Sequence, residues 1–179
     1  MDVGLDAEPC DFDVEVSGQG FRMSGGEPRH PHATTEPMRQ MRQALHSLHI
    51  QTDGKGLVEI TKDVAGWLRE QKIATGLLTI FCRHTSASLL IQENADPDVR
   101  TDLESFFEEI APEDRERYVH RTEGMDDMPA HIRSALLQTQ LSMPVASGRM
   151  ALGTWQGIYV FEHRREPHRR EIVLHLMGE

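Results

Sequence analysis

Cysteine is nearly absent from this 179-residue chain: Cys10 lies in a polar leader and Cys82 in an apolar, strand-like run. That pattern argues against a disulfide framework and favours a reducing, cytoplasmic setting. No apolar run approaches the length of a bilayer span, and no basic-then-apolar leader points to secretion, so a soluble cytoplasmic protein is expected. Excess positive charge is missing too. The formal net charge of −10 argues against general binding to nucleic acid or to anionic membranes, which needs a basic surface. Walker A, GxGxxG, GxSxG, HExxH and paired CxxC patterns are all absent. Nucleotide-dependent phosphoryl transfer, dinucleotide redox chemistry and α/β-hydrolase chemistry are disfavoured accordingly.

What is present divides the chain in two. Residues 1–37 carry eight acidic and two basic side chains, a net of −6, which leaves −4 for residues 38–179. The leader has few large apolar residues and includes Ser24-Gly25-Gly26-Glu27-Pro28. Such a segment cannot bury enough surface to offset its ordering entropy, and it reads as an acidic flexible tail. His30 and His32 flank Pro31 there and read as part of a solvated loop.

Residues 38–179 read as one α+β domain. Gln43–Thr52 alternates as a strand, and Asp53-Gly54-Lys55-Gly56 is a turn of hairpin type. Thr61–Lys72 has helical spacing of Val64, Ala65, Trp67 and Leu68, with Thr61 placed as its cap. Gly76–His84 and Ser88–Glu93 are β-rich runs, and Leu78, Ile80, Cys82 and His84 share one face of the first. Asp96-Pro97 opens a helix with Val99, Leu103, Phe106, Phe107 and Ile110 on one stripe, ended by Pro112. A second start, Asp126-Asp127-Met128-Pro129, opens a helix to about Gln138 with Ile132, Ala135 and Leu136 facing inward. Leu141–Val145, Arg149–Thr154, Gly157–Glu162 and Glu171–Met177 then read as strands of antiparallel meanders. The expected architecture is an antiparallel, sandwich-like sheet core with about three helices.

Chemistry-bearing residues gather in three places. The first is His84-Thr85-Ser86 at a strand exit, followed by Asn94 and Asp96 at the entry to a helix. If the flanking strands form a hairpin, these two groups sit at opposite ends of it, and contact within one subunit is not assured. Asp96 serves equally well as a plain helix cap, and Asn94 as a turn residue. The second is His120 and His131, around a Gly- and Asp-rich loop entering a helix. The positive end of that helix favours a neutral imidazole at His131, the form that binds metal. Three histidines with a carboxylate can hold zinc or another divalent ion with an open position, although each histidine alone reads as structural. The third is Gly153-Thr154-Trp155-Gln156-Gly157, either a close-approach loop with an indole wall or a core turn. Arg164-Arg165 and His168-Arg169-Arg170 form a basic run that can hold phosphate or simply face solvent.

Taken in order, His84-Thr85-Ser86-Ala87-Ser88-Leu89, Glu93-Asn94-Ala95-Asp96-Pro97-Asp98-Val99, Tyr118-Val119-His120, the Gly124–His131 loop and Leu152-Gly153-Thr154-Trp155-Gln156 form one signature. It resembles the YjbQ-like proteins, also called the secondary thiamine-phosphate synthase family, from about residue 40 to the C-terminus. Gln92 stands where relatives often have Asn, and Glu162–Arg170 differs from a frequent Glu-x-Asp-Gly-Pro-Arg pattern.

The resemblance implies a β-sandwich-like α+β fold, a homotrimer, His- and Asp-rich pockets near subunit contacts, and a divalent metal ion, zinc or magnesium, or an anion there. It implies pocket roles for His84, Asn94, Asp96 and His131 in catalysis and for His84, His120 and His131 as metal ligands. Ser86, Trp155, Gln156, Arg169 and Arg170 are the expected substrate-binding residues, with Glu162 a weaker addition. The implied reaction joins hydroxymethylpyrimidine diphosphate to a thiazole phosphate with release of pyrophosphate. Two other readings stand beside it: a metal-dependent hydrolase of a small phosphorylated metabolite, and a non-catalytic trimer that binds a metal or anion.

Overall fold

Strand-type alternation and helical stripes interleave along residues 40–179, the part of the chain that the computed structural model describes. The acidic leader, with Cys10, His30 and His32, lies outside the described residues. In order, the elements are β1 (Arg42–Thr52), β2 (Gly56–Glu59), α1 (Thr61–Gln71), β3 (Gly76–Cys82), β4 (Ala87–Glu93), α2 (Pro97–Ile110), α3 (Asp127–Leu136), β5 (Gln140–Ala146), β6 (Arg149–Met150), β7 (Gln156–Glu162) and β8 (His168–Gly178). The expected α+β class, with three helices and antiparallel sheets, is what forms.

The strands make two sheets, β1-β8-β3-β5-β6 and β2-β7-β4, and every pairing is antiparallel. The two-residue period sorts their side chains. Leu78, Ile80 and Cys82 of β3 are buried beside Ile172, Leu174 and Leu176 of β8, in register Leu78↔Leu176 and Ile80↔Leu174. Across from them, Leu89, Ile158 and Val160 of the smaller sheet close the core, with Val64 and Leu68 of α1. Strand β7 is buried on both faces, because Phe161 meets Phe107 of α2 edge-on at 5.5 Å. On the other face of the larger sheet, Leu45, Leu77, Phe81 and Met177 are exposed.

Several local expectations are corrected. Gly76–His84 and Ser88–Glu93 are not a hairpin: β3 belongs to one sheet and β4 to the other. Asp53–Lys55 likewise carries the chain between sheets, since β1 pairs with β8 and β2 with β7. Among the four C-terminal strands only β5 and β6 pair consecutively, and β6 is much shorter than the 149–154 run suggests. Alternation reports which faces are buried, and it does not report which strand lies alongside.

The helices show the same limit. Asp96 caps α2 as expected, accepting from Asp98 N at 2.9 Å. Thr61 does not cap α1; its hydroxyl accepts the Ile158 N–H at 2.8 Å and ties the helix to β7. Helix α3 turns a different face inward than its apolar residues suggest. Asp127, Pro129, Ala130, Arg133 and Ser134 are buried while Ala135 and Leu136 are exposed. Arg133 takes the inward position because its guanidinium holds the Phe107 and Ala111 carbonyls and Glu108 at 2.8–3.1 Å, stitching α3 to the end of α2.

Candidate functional site

Three links between the sheets converge at one end of the molecule. Register pairs Glu162 with both Gly56 and Ala87, Thr52 with His168, and Cys82 with Ile172. The β1–β2, β3–β4 and β7–β8 crossings therefore lie together, and the last two carry His84-Thr85-Ser86 and His163–Pro167. Helix α3 begins against this end.

Asp127 is the centre of the arrangement. Its side chain is 2 % exposed, and Oδ2 lies 2.7 Å from His120 Nε2 and 3.2 Å from His131 Nε2. The i, i+4 spacing places Asp127 and His131 on one face of α3, and His120 reaches in from the preceding loop. One donor atom from each of the three residues lies within 4.8 Å of the others. The other oxygen, Oδ1, is held by Arg164, whose Nε also donates to Asp126 Oδ2 at 3.1 Å and whose Nη2 donates to the Glu123 carbonyl at 2.7 Å. Burial raises the Asp126 carboxyl, but the Arg165 amide and the Arg164 guanidinium outweigh it and hold it below the usual carboxylate range. Gly124, at φ +112°, makes this clamp possible, because a Cβ there would lie 3.0 Å from Asp126 Oδ1.

His131 Nδ1 lies 3.1 Å from the Thr85 carbonyl. A carbonyl only accepts, so Nδ1 carries a proton and donates, and the ring turns its Nε2 toward a carboxylate oxygen. Nε2 and Oδ2 at 3.2 Å are bridged either by a proton on Nε2 or by a cation. Imidazole oriented by a carbonyl, a carboxylate braced from behind and a second imidazole match the donor chemistry and outer-shell support of a transition-metal site.

The other expected site residues separate from this cluster. His84 is one residue from Thr85, yet its Nε2 accepts the Glu171 N–H at 2.8 Å and is not aimed at the cluster. Burial, with Arg170 nearby, pushes the His84 imidazole below its ordinary range, in keeping with a neutral ring. Ser86 and Arg170 form an internal network: Arg170 Nη2 donates to Ser86 Oγ at 3.1 Å, Arg170 Nε donates to Glu162 Oε2 at 2.6 Å, and Thr52 Oγ1 donates to that same oxygen at 2.8 Å. Arg170 is 4 % exposed and Glu162 fully buried, so this arginine serves as a counter-ion. Arg169 projects from β8 into solvent.

Asn94, Asp96, Trp155 and Gln156 gather at the opposite end of β4 and β7, where Glu93 pairs with Gln156. Asn94 N donates to the Trp155 carbonyl at 3.0 Å, Gln156 Oε1 accepts from Gly153 N at 2.8 Å, and Trp155 is 64 % exposed. At about 3.4 Å per residue the two ends are roughly 20 Å apart along the strands. Sequence reasoning missed Asp127 and Arg164. Asp127–His131 at i, i+4 was the available signal for the first. Arg164 reaches the site only through the sheet crossing.

A small two-sheet α+β domain with a braced His/Asp cluster at its crossing end is the class of protein that fold and site define. The chain matches the family profile described as UPF0047 protein YjbQ-like over residues 46–179, and it belongs to that family. It is 54 % identical to UPF0047 protein sll1880 of Synechocystis sp. over 138 residues, covering 77 % of this chain and 94 % of that one. It is 42 % identical to UPF0047 protein YjbQ of Escherichia coli O157:H7 over 134 residues, covering 74 % and 96 % of the two chains. The crystal structure of a conserved hypothetical protein of Thermus thermophilus superposes with a TM-score of 0.65 at 35 % identity, covering 72 % of this chain and 97 % of that one. No helix among the described residues is long and apolar enough to cross a membrane.

Proposed function

We propose that this protein is a metal-dependent enzyme acting on a small phosphorylated metabolite, with a divalent ion of zinc type held by His120, Asp127 and His131. The carrying observation is His131, protonated toward Thr85 at 3.1 Å and facing Asp127 Oδ2 at 3.2 Å with its other nitrogen. Two imidazoles and one carboxylate oxygen suit zinc or a neighbouring transition ion better than magnesium, which prefers oxygen ligands and retains water. When bound, such an ion supplies Lewis acidity toward water or a phosphoryl oxygen. Arg164 fixes the Asp127 carboxylate through Oδ1, so that Oδ2 is the oxygen that would hold the ion. Helix α3 and the Thr85 carbonyl fix the His131 ring.

Hydrolysis of a phosphate ester is the reaction we favour within this activity. The condensation implied by the family's alternative name needs a phosphate-holding arginine and an aromatic wall beside the ion. Arg170 is engaged with Glu162, and Trp155 lies at the other end of β7. A cytoplasmic setting is part of the proposal; the buried Cys82 thiol is free. The test is metal analysis of the purified chain beside His131→Ala, with both confirmed folded, followed by assay of generic phosphoesters and of the thiamine-phosphate precursors. One equivalent of transition metal, lost in the variant, with phosphoester turnover would support the reading. No metal in the wild type after reconstitution would end it.

A further inference from the structure

Along β7 the core-facing positions run Ile158, Val160, Glu162, and along β8 they run Leu176, Leu174, Ile172, Arg170, so each apolar row ends in a charge. The two charges meet at the crossing end, and both are buried. Four donors fill the Glu162 carboxylate. Oε2 accepts from Arg170 Nε at 2.6 Å and from Thr52 Oγ1 at 2.8 Å, and Oε1 accepts from Arg170 Nη2 and from the Arg164 backbone N–H at 2.9 Å. Burial raises the Glu162 carboxyl, but Arg170, the Arg164 amide and Thr52 outweigh it and hold it below the usual carboxylate range.

Two of these donors lead to opposite sides of the His/Asp cluster. Arg170 Nη2 also donates to Ser86 Oγ at 3.1 Å and to the Ser86 carbonyl at 3.3 Å, and the His163 N–H reaches that carbonyl at 3.3 Å. On the other side of Thr85, His84 Nε2 accepts the Glu171 N–H at 2.8 Å. Thr85 is thus pinned at both neighbours, and its carbonyl meets His131 Nδ1 at 3.1 Å. The second path is shorter. Arg164, held by Glu162 at its backbone, carries the guanidinium that binds Asp127 Oδ1 and Asp126 Oδ2. Apolar residues of like volume often stabilise a fold as well as a buried ion pair does. What this pair adds is position.

We infer that Glu162 is the positioning residue of the His/Asp cluster, setting His131 through Arg170, Ser86 and the Thr85 carbonyl, and Asp127 through Arg164. One buried carboxylate therefore fixes two of the three proposed ligands from behind, at the point where the sheet crossings converge. Its effect on a bound ion rests on the metal reading; its effect on the His131 ring does not. His84 belongs to the same frame, since its ring ties the loop before Thr85 to β8.

The experiment is calorimetric zinc titration of the full chain, with nitrogen NMR of the metal-free protein above the histidine pKa range to read which His131 nitrogen carries the proton. Glu162→Gln keeps the shape and removes the charge. Glu162→Leu/Arg170→Met removes the pair without leaving a buried charge, and decides if the first variant does not fold. Leu68→Ala loosens the core at α1 and controls for general softening. We expect zinc affinity to fall about 10- to 100-fold in the Glu162 variants, the usual effect of losing outer-shell support, and to hold in Leu68→Ala. The share of His131 protonated on Nδ1 should fall in the Glu162 variants alone. Wild-type zinc affinity or an unchanged His131 proton in the folded Glu162 variants, or equal losses in Leu68→Ala, would overturn the positioning role. A wild type that takes up no zinc would end the metal reading only, and the His131 proton would then decide this one.

Discussion

His131 and Asp127 face each other across one turn of α3, with Nε2 and Oδ2 3.2 Å apart, while the opposite ring nitrogen donates to the Thr85 carbonyl. With Nε2 deprotonated, the imidazole and the carboxylate would together hold a cation, the arrangement proposed above. Asp127→Asn keeps the shape and removes the charge. We expect zinc binding to fall below detection in that variant. In the wild type, zinc at 100 times its dissociation constant should raise the unfolding free energy by about 2.7 kcal/mol, reversed by a chelator. Chemical denaturation with and without zinc checks both.

Arg164 touches no proposed ligand atom directly, yet it orients the one carboxylate in the site and ties down the loop carbonyl of Glu123. Its replacement by Gln should weaken zinc binding about 10- to 100-fold, the usual effect of losing outer-shell support. A cobalt-substituted sample provides the structural readout. Freed from Arg164, Asp127 can bind through both oxygens, and the visible cobalt bands should weaken as coordination number rises. Unchanged affinity and spectrum would reduce Arg164 to a structural brace.

His163 is fully buried in the β7–β8 link, with Nε2 2.6 Å from Ser88 Oγ and Nδ1 unpartnered. Burial, with the nearby Arg133 charge, pushes its pKa from 6.5 down to about 3. The unfolded chain therefore takes up this proton first on acidification. The stability from a neutral His163 is complete above pH 6.5 and is lost progressively toward pH 3. At about 1.4 kcal/mol per pH unit, unfolding free energy should drop by about 2 kcal/mol between pH 6.5 and 5 from this group. Urea unfolding of wild type and His163→Gln across that range isolates the slope, which should be shallower in the variant.

The exposed apolar side chains of the larger sheet bear on self-association. Leu77, Phe81 and Met177 are each more than two-fifths exposed there, and Leu77 pairs with Met177 across β3 and β8. Contiguous apolar surface of this kind marks an interface more often than a solvated face. We expect light scattering to give three times the 20.3 kDa chain mass, and Phe81→Glu to shift it toward one. A monomeric wild type would contradict this expectation.

Much of this was legible in the residues alone. Period-two burial of Leu78, Ile80 and Cys82 and the Asp96-Pro97 helix start follow from local chemistry, because each depends on neighbours a few positions away, whereas the expected apolar stripe of α2 leaves Phe106 and Ile110 exposed. His120 and His131, grouped by the Gly- and Asp-rich loop between them, lie with ring centroids 5.7 Å apart. Tertiary structure decided the rest. Whether β3 turned back on itself or crossed to the other sheet determined that His84 would serve the Glu171 amide, and that Thr85 would present its carbonyl to His131. The inward face of α3 was set by Arg133 reaching carbonyls of α2, an interaction with no counterpart in its own helical period. Asn94 and Trp155 share one end of a strand pair and the histidine cluster lies at the other, since a seven-residue strand separates them whatever their order in the chain. Side-chain periodicity records only which surfaces avoid water; partner strands, crossings and converging charges depend on contacts distant in sequence, which the folded chain alone creates.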